Sequence, residues 1–241
     1  MPIFGVRGLN SGFDDADNLA WKLAEVVNGD SPDALLDTYS EERIHAFHVN
    51  AESAMRSTEF MSPPSRGFDL FREAALSLAE AHRSIANLVN PRQTQAIGYE
   101  HSRLSSLGDP FERGPGPGAV MIDGPTQGAQ AYLSDALGTK FTCVAFSACG
   151  DVPPDVARFV ANAGPDVKLV RVATRRTVDD GALQDVDSNL TRAYAAENGQ
   201  VVLVRPDGHV AGRWRKPDDV TLTSALKRAR CIAGITEGAL S

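Results

Sequence analysis

Three glycines, Gly5, Gly8 and Gly12, punctuate the first twelve residues, and the chain then passes directly into an apolar pattern of helical period. A loop of this kind at a helix start is a donor site by construction. The first helical turn has unpaired N–H groups and the positive end of the macrodipole. Glycines without a Cβ let a flat ligand approach that backbone closely. The same spacing also occurs in plain tight turns, so spacing alone leaves both readings open. Asn10 and Ser11 offer capping oxygens, and Asp14, Asp15 and Asp17 place negative charge on the turns that follow. Phe13, Ala16, Leu19, Ala20, Leu23, Ala24 and Val27 predict an amphipathic helix over about residues 12–28, ended by Gly29. A loop of this type normally leaves a strand, and none precedes it. The start therefore reads as a cut inside a larger protein.

Further along, Ser31-Pro32-Asp33 is a second helix start, leading through Leu35, Leu36 and Tyr39 into a long helical stretch over about residues 41–60. The break at Pro63 to Gly67 precedes another helix, about 68–89, stopped by Asn90-Pro91. Residues 98–128 lose all period and cluster glycine with proline, as in Gly114-Pro-Gly-Pro-Gly118, which reads as an irregular connector. Residues 129–241 then alternate. The apolar run Phe141 to Phe146 is a buried strand, 153–162 a helix, 167–172 a strand and 190–196 a helix. Val201 to Val204 and His209 to Trp214 form a hairpin about Pro206-Asp207-Gly208, and a last helix runs from near Asp218 to Gly234. That order predicts an α/β fold: a helical segment (1–97), the connector (98–128) and a thioredoxin-like domain (129–241).

The thioredoxin-like half lacks the chemistry of its namesake. A redox pair needs Cys-x-x-Cys, and the residue three after Cys149 is Val152. Cys143, Cys149 and Cys231 are too few and scattered for a disulfide framework and are expected to be reduced thiols. The net charge of −7 argues against a nucleic-acid surface, and no apolar run approaches the roughly 20 residues of a membrane helix. Without a basic segment and apolar stretch at the N-terminus, the expected location is cytoplasmic. His45 and His48 lie one helical turn apart but have no third ligand near in sequence, so no metal site is expected. Glu41-Glu42-Arg43 reads as a solvated, salt-bridged turn, and Arg175-Arg176 and Lys227-Arg228-x-Arg230 as solvated basic faces. Trp21 and Trp214 lie on apolar stretches and are expected in a core or an interface.

One string is far more specific than the spacing. Gly5-Val-Arg-Gly8-Leu-Asn-Ser-Gly12, followed after two residues by Asp15-Ala-Asp-Asn-Leu-Ala-Trp-Lys-Leu23, closely resembles a segment of the group A flavoprotein aromatic hydroxylases. This group includes the phenol, hydroxyphenylpropionate and polyketide hydroxylases. The likeness continues in Leu36-Asp-Thr-Tyr-Ser-Glu-Glu-Arg43, in Gly116-Pro-Gly118 and in Leu203-Val-Arg-Pro-Asp-Gly-His-Val210. Pro2 matches the first proline of the family pattern, but Ile3 replaces the second.

The resemblance implies a flavin contact at Gly5, Gly8, Leu9, Asn10, Ser11, Gly12 and Asp15. The backbone amides of Leu9 and Asn10 would face the flavin C2 carbonyl edge, Gly8 would permit the approach, and Asp15 would help hold the helix start. It implies no catalytic side chain in this part of the enzyme. The complete enzyme would use FAD and NAD(P)H to hydroxylate an aromatic substrate with O2. The Gly-x-Gly-x-x-Gly loop that cradles the FAD pyrophosphate is absent from these residues, so they are expected to hold no FAD alone. Gly114-Pro-Gly-Pro-Gly118 does not replace it, since prolines remove N–H donors. Phe13, Leu19, Leu23 and Val27 form a stripe without an evident partner, and a homodimer is the expected outcome. The competing reading is a free-standing, non-redox thioredoxin-like module for dimerisation or binding.

Overall fold

The computed structural model describes residues 7–82, 84–85, 96–175 and 181–232. The chain divides into two units, one of Met1–Asp17 and Ser40–Ile97, the other of Asn18–Tyr39 and Gly98–Ser241. The division runs through two helices, α1 (Arg7–Val27) and α2 (Ala34–Met61), rather than at a linker.

α1 begins about five residues earlier than its apolar period predicts, so Gly8 to Gly12 are helical rather than loop. It ends as predicted, with Gly29 at φ +78 and the Asp30 and Ser31 amides donating to the Glu25 carbonyl. α2 runs unbroken for 28 residues, taking in both the expected start near Ser31-Pro32-Asp33 and the long stretch into which it leads. In the first unit, α3 (Arg66–Ala81) starts at Ser65, whose hydroxyl accepts the Phe68 amide. Ala75 is its one buried residue, while Phe68, Leu70, Phe71, Leu76 and Leu78 are exposed. Residues 86–95, including the predicted Asn90-Pro91 stop, lie outside the described residues.

The second unit is built on a six-stranded mixed sheet: β1 (Thr126–Gln127), β2 (Phe141–Ser147), β3 (Val167–Ala173), β4 (Leu183–Asp185), β5 (Val201–Val204) and β6 (Val210–Trp214), in spatial order β1-β4-β3-β2-β5-β6. β2 and β3 are parallel, β5 runs antiparallel to β2, and β6 runs antiparallel to β5. Helices α4 (Pro154–Ala163), α5 (Asn189–Ala193) and α6 (Asp219–Ala229) complete it. Every residue of β2 is buried, because the sheet carries apolar cover on both faces. Phe141, Cys143 and Ala145 pack with Val156 and Phe159 of α4 and Leu222 and Leu226 of α6. Val144 and Phe146 pack on the opposite side with Leu133, Leu190 and Tyr194. Burial pushes the Cys143 thiol up to about 12, so it behaves as a small core hydrophobe. β1 and β4 were missed from sequence; at two and three residues they are too short to show a period. Among the described residues, no helix is long and apolar enough to cross a membrane.

The predicted irregular connector has a structural job within this unit. It lies along the free edge of β6, where the amides of Ser106, Asp109 and Gly118 donate to the carbonyls of Ala211, Arg213 and Val210. An open strand edge is thereby satisfied and blocked. Arg213, buried in β6, holds the connector from inside: its guanidinium donates to the carbonyls of Arg113, Pro115 and Tyr194 and stacks on the Phe111 ring. The close approach sets the glycine requirement. Gly118 sits at φ +85, and a Cβ there would lie 2.4 Å from the Tyr99 carbonyl carbon and oxygen. We expect Gly118→Ala to destabilise this unit by about 1–3 kcal/mol or more, from strain plus backbone displacement, read as a lower urea midpoint. Gly138→Ala, where nothing lies within 4 Å of the added carbon, should be near neutral. Equal midpoints for the two variants would contradict this account of the connector.

Candidate functional site

Of the seven residues that the sequence marks for ligand contact, Gly5 lies outside the described residues, and Gly8, Leu9, Asn10, Ser11, Gly12 and Asp15 all fall on the first three turns of α1. The N–H groups without a carbonyl four residues back belong to the first turn, Arg7 to Asn10, so Leu9 and Asn10 are placed there and Ser11, Gly12 and Asp15 further in. Gly8, Leu9, Asn10 and Gly12 are exposed, and the position of a Cβ on Gly8 or Gly12 is open for at least 4 Å. The first turn carries no acidic side chain that would compete for its donors. This combination fits an anionic or carbonyl edge of a flat ligand.

Ser11 and Asp15 point to a different task. Arg43 of α2 donates from Nε to Asp15 Oδ1 at 2.5 Å and from Nη2 to the Ser11 carbonyl at 3.2 Å. Asn50 Nδ2 donates to Ser11 Oγ at 3.0 Å, and Asp14 lies 3.9 Å from Arg43. These contacts strap α1 to α2 within the first unit. They also correct the reading of Glu41-Glu42-Arg43 as a solvated turn: Glu41 is exposed, but Glu42 and Arg43 are buried. An exposed–buried–buried order is what one face of a helix imposes on three consecutive residues, and charge content alone conceals it. Sequence reasoning did not single out Asn50 at all.

A second polar cluster lies in the second unit, around the hairpin turn. Gly208 takes φ +75 there and donates its amide to the Arg205 carbonyl. The Asp207 carboxylate is 2% exposed and beside a fully buried Arg205 guanidinium. Arg205 binds it through both ends, Nε to Oδ1 at 3.0 Å and Nη2 to Oδ2 at 2.5 Å. Two donors arrive from α1: Asn18 Nδ2 at 3.1 Å and Trp21 Nε1 at 3.0 Å, both to Oδ2. Arg205 also lies over the Trp21 and Tyr99 rings, and Tyr99 stacks on His209. Burial opposes ionisation of Asp207, but the Arg205 charge and the His209 contact outweigh it and hold the carboxyl well below the usual carboxylate range. Trp21 meets Phe141 edge-on and joins the core beneath β2 and β5, while Trp214 is buried on β6. Asn18, Trp21 and Asp207 all belong to strings that sequence reading had noticed, but a pairing across 186 residues leaves no local signal.

Three calls concern sites that the geometry leaves plain. His45 and His48 are exposed on α2, and no group of metal-holding side chains occurs among the described residues. Cys149 is exposed, with Asn198 bridging the loop it stands on by accepting the Ala148 amide. Arg230 is buried rather than solvated, paired with Glu25 of α1 at 2.8 Å and with Asp166 at 2.9 Å.

With this geometry in hand, the chain can be set beside known proteins. Residues 1–54 match the FAD binding domain family and residues 124–229 the HcaD C-terminal domain family. The chain is 30% identical over 245 residues to 4-methyl-5-nitrocatechol 5-monooxygenase of a Burkholderia species, covering 96% of this chain and 42% of that protein. It is 27% identical over 233 residues to 6-methylpretetramide 4-monooxygenase of Streptomyces rimosus, covering 92% of this chain and 41% of that protein. It spans about two fifths of the length of these curated relatives. Among solved structures, it superposes on the flavin-dependent monooxygenase PieE in complex with FAD and substrate with a TM-score of 0.73. There the identity is 24%, over 96% of this chain and 46% of PieE. Aklavinone-11 hydroxylase with FAD and aklavinone gives 0.65 at 24% identity, over 96% of this chain and 42% of that one. The mixed α/β fold described above therefore recurs within FAD-dependent monooxygenases.

The buried Asp207 makes a pH-dependent claim. A carboxylate held below its ordinary value stabilises the fold fully above about pH 4–5, and loses that contribution as pH falls toward the depressed value. Asp207→Asn removes the carboxylate charge that the buried Arg205 contacts at two points and should cost about 3–5 kcal/mol at pH 7. By linkage the cost should be smaller at pH 3, by about 1 kcal/mol, because the unfolded carboxyl is largely protonated there. Urea titrations of both proteins at the two pH values measure this. A cost independent of pH would show that Asp207 is not the ionised centre of the cluster.

Proposed function

We propose that this chain, which belongs with the C-terminal portion of the group A FAD-dependent aromatic hydroxylases, serves an NAD(P)H-dependent enzyme that hydroxylates a phenolic or polyketide-like ring with O2. The supporting observation is the coincidence of three things on α1: the FAD-binding family match, an exposed first turn free of acidic side chains, and glycines open to close approach. The bound flavin would supply the reduction and oxygen chemistry. This chain's part is positional. The first-turn amides, with Gly8 giving access, receive the electron-rich C2 carbonyl edge of the ring, and the positive end of the helix favours charge there. Arg43 and Asn50 keep Ser11 and Asp15 in register with α2.

The sheet-bearing unit serves as a thioredoxin-like scaffold without redox chemistry. Its core order β3-β2-β5-β6, with β2 and β3 parallel, supports that reading, as does Val152 in place of a second cysteine. Association is the further expectation. Phe13, Leu23 and Val27 of the α1 stripe are exposed, and burying a large apolar side chain is worth roughly 1.5–3 kcal/mol. A homodimer should be seen by light scattering across a dilution series. A monomer at concentrations of order 10 µM, unchanged by Leu19→Glu or Leu23→Glu, would contradict it.

The cofactor reading is tested by FAD titration. These 241 residues alone should be colourless and show no saturable binding at micromolar FAD, since losing a pyrophosphate cradle costs several steps of about 1.4 kcal/mol. The gene's in-frame upstream sequence should encode Gly-x-Gly-x-x-Gly, and its full product should be yellow and oxidise NAD(P)H when given a phenol. A start codon at Met1 with no such upstream segment would favour the free-standing module instead.

A further inference from the structure

Arg43 brings a charge to the start of α1 as well as a strap. The turns behind the exposed first-turn donors carry Asp14 and Asp15. From Asp15 back to Asn10 and Leu9 is about 7.5–9 Å at the usual rise, within the reach of a carboxylate's field at moderate salt. Two such charges oppose the positive end of the helix and would turn an anionic edge away. Both lie beside the same cation. Arg43 meets Asp15 at 2.5 Å and lies 3.9 Å from Asp14, and its Nη2 donates to the carbonyl of Ser11, the residue next to Asn10. Asp17 and Glu42, the neighbouring acids on the two helices, have contacts of their own.

The three charges are not equally screened. The Arg43 side chain is 7% exposed, against 61% for Asp14 and 44% for Asp15. Water and salt damp the two carboxylates, whereas the buried guanidinium keeps more of its field. All of these groups belong to the first unit, which takes α1 up to Asp17 and α2 from Ser40. A strap alone needs no charge here, since the neutral Asn50 already ties Ser11 to α2 at 3.0 Å. We propose that Arg43 is the charge-setting residue of the α1 start: its buried guanidinium offsets Asp14 and Asp15 and keeps the first-turn donors receptive to an anionic edge. That this edge belongs to a flavin rests on the function proposed above; that Arg43 sets the local charge does not. Arg43 is a positioning residue in this arrangement, acting through the field at the donors.

Nuclear magnetic resonance of the 241-residue chain, without FAD, reads that field directly. Cationic and anionic nitroxide probes of matched shape are added in turn at low salt. The ratio of the amide relaxation induced by the cation to that induced by the anion reports the local potential, and a more negative potential raises it. At the Leu9 and Asn10 amides, Arg43→Met should raise the ratio about 1.5- to 2-fold, the effect of one lost positive charge at this range. Arg43→Lys keeps the charge without the planar fork and should stay close to wild type. Asp15→Asn should lower the ratio by about 1.2- to 1.5-fold, and it decides the outcome if Arg43→Met does not fold. The Glu59 amide, about 24 Å along α2 from Arg43 at the helical rise, should respond to none of them. Three results would each overturn the proposal. An unchanged ratio at Leu9 and Asn10 in Arg43→Met or in Asp15→Asn would show that no charge is set there. Arg43→Lys matching Arg43→Met would show a geometric strap alone, and an equal change at Glu59 a general rearrangement. Because no flavin is present, a failed FAD titration would leave this result standing.

Discussion

The second unit depends on one buried carboxylate. Asp207 is nearly excluded from water, and an isolated charge there would cost several kcal/mol. It is tolerable because it is fully engaged: a two-point Arg205 contact and two neutral donors surround it. Each participant needs the others. Arg205 is fully buried and would lose its two-point carboxylate contact without Asp207, and Trp21 would lose the acceptor of its indole N–H. Such a cluster specifies a single arrangement, because any other leaves a buried charge or donor unmatched.

Around that point the rest of the unit follows from ordinary requirements. A sheet with both faces covered needs helices on both, and α4 and α6 on one side and the Leu133, Leu190 and Tyr194 layer on the other supply them. Its long edge, β6, needs its carbonyls and amides satisfied, and the glycine-rich connector does this instead of another strand. Residues 18–39 then join as a further layer, contributing Trp21 and Leu35 to the core below the sheet. Buried arginines recur at each junction: Arg205 at the hairpin, Arg213 against the connector, Arg230 against α1.

Much of this was legible in the sequence, and the failures have physical causes. β2, β3, β5, β6 and α4 were readable because apolar runs and proline starts are local properties. β1 and β4 were not, since two or three residues carry no period. The start of α1 was placed at residue 12 because Gly8 and Gly12 weaken the helical signal, although the helix continues through them. Gly8, Leu9 and Asn10 were legible as a motif beside a helix start, although read as loop; the roles of Arg43, Asn50 and Asp207 were not, because each depends on which residues meet in space. Asp207 looked like turn chemistry, and Arg43 and Arg230 like surface charge. Burial of a charged side chain is a property of its partners, which lie 28 residues away for Arg43 and 205 for Arg230.

The central claim is that the second half of α1 and the sheet form one cooperative unit through the Asp207 cluster. The chain has two tryptophans, and each reports one side of that claim: Trp21 on α1 and Trp214 on β6. Biosynthetic incorporation of 5-fluorotryptophan gives each a separate 19F resonance in the same molecule, to be followed through a guanidinium titration. The account predicts that both native signals vanish together, with one midpoint. Loss of the Trp21 signal at lower denaturant, while Trp214 stays native, would contradict it.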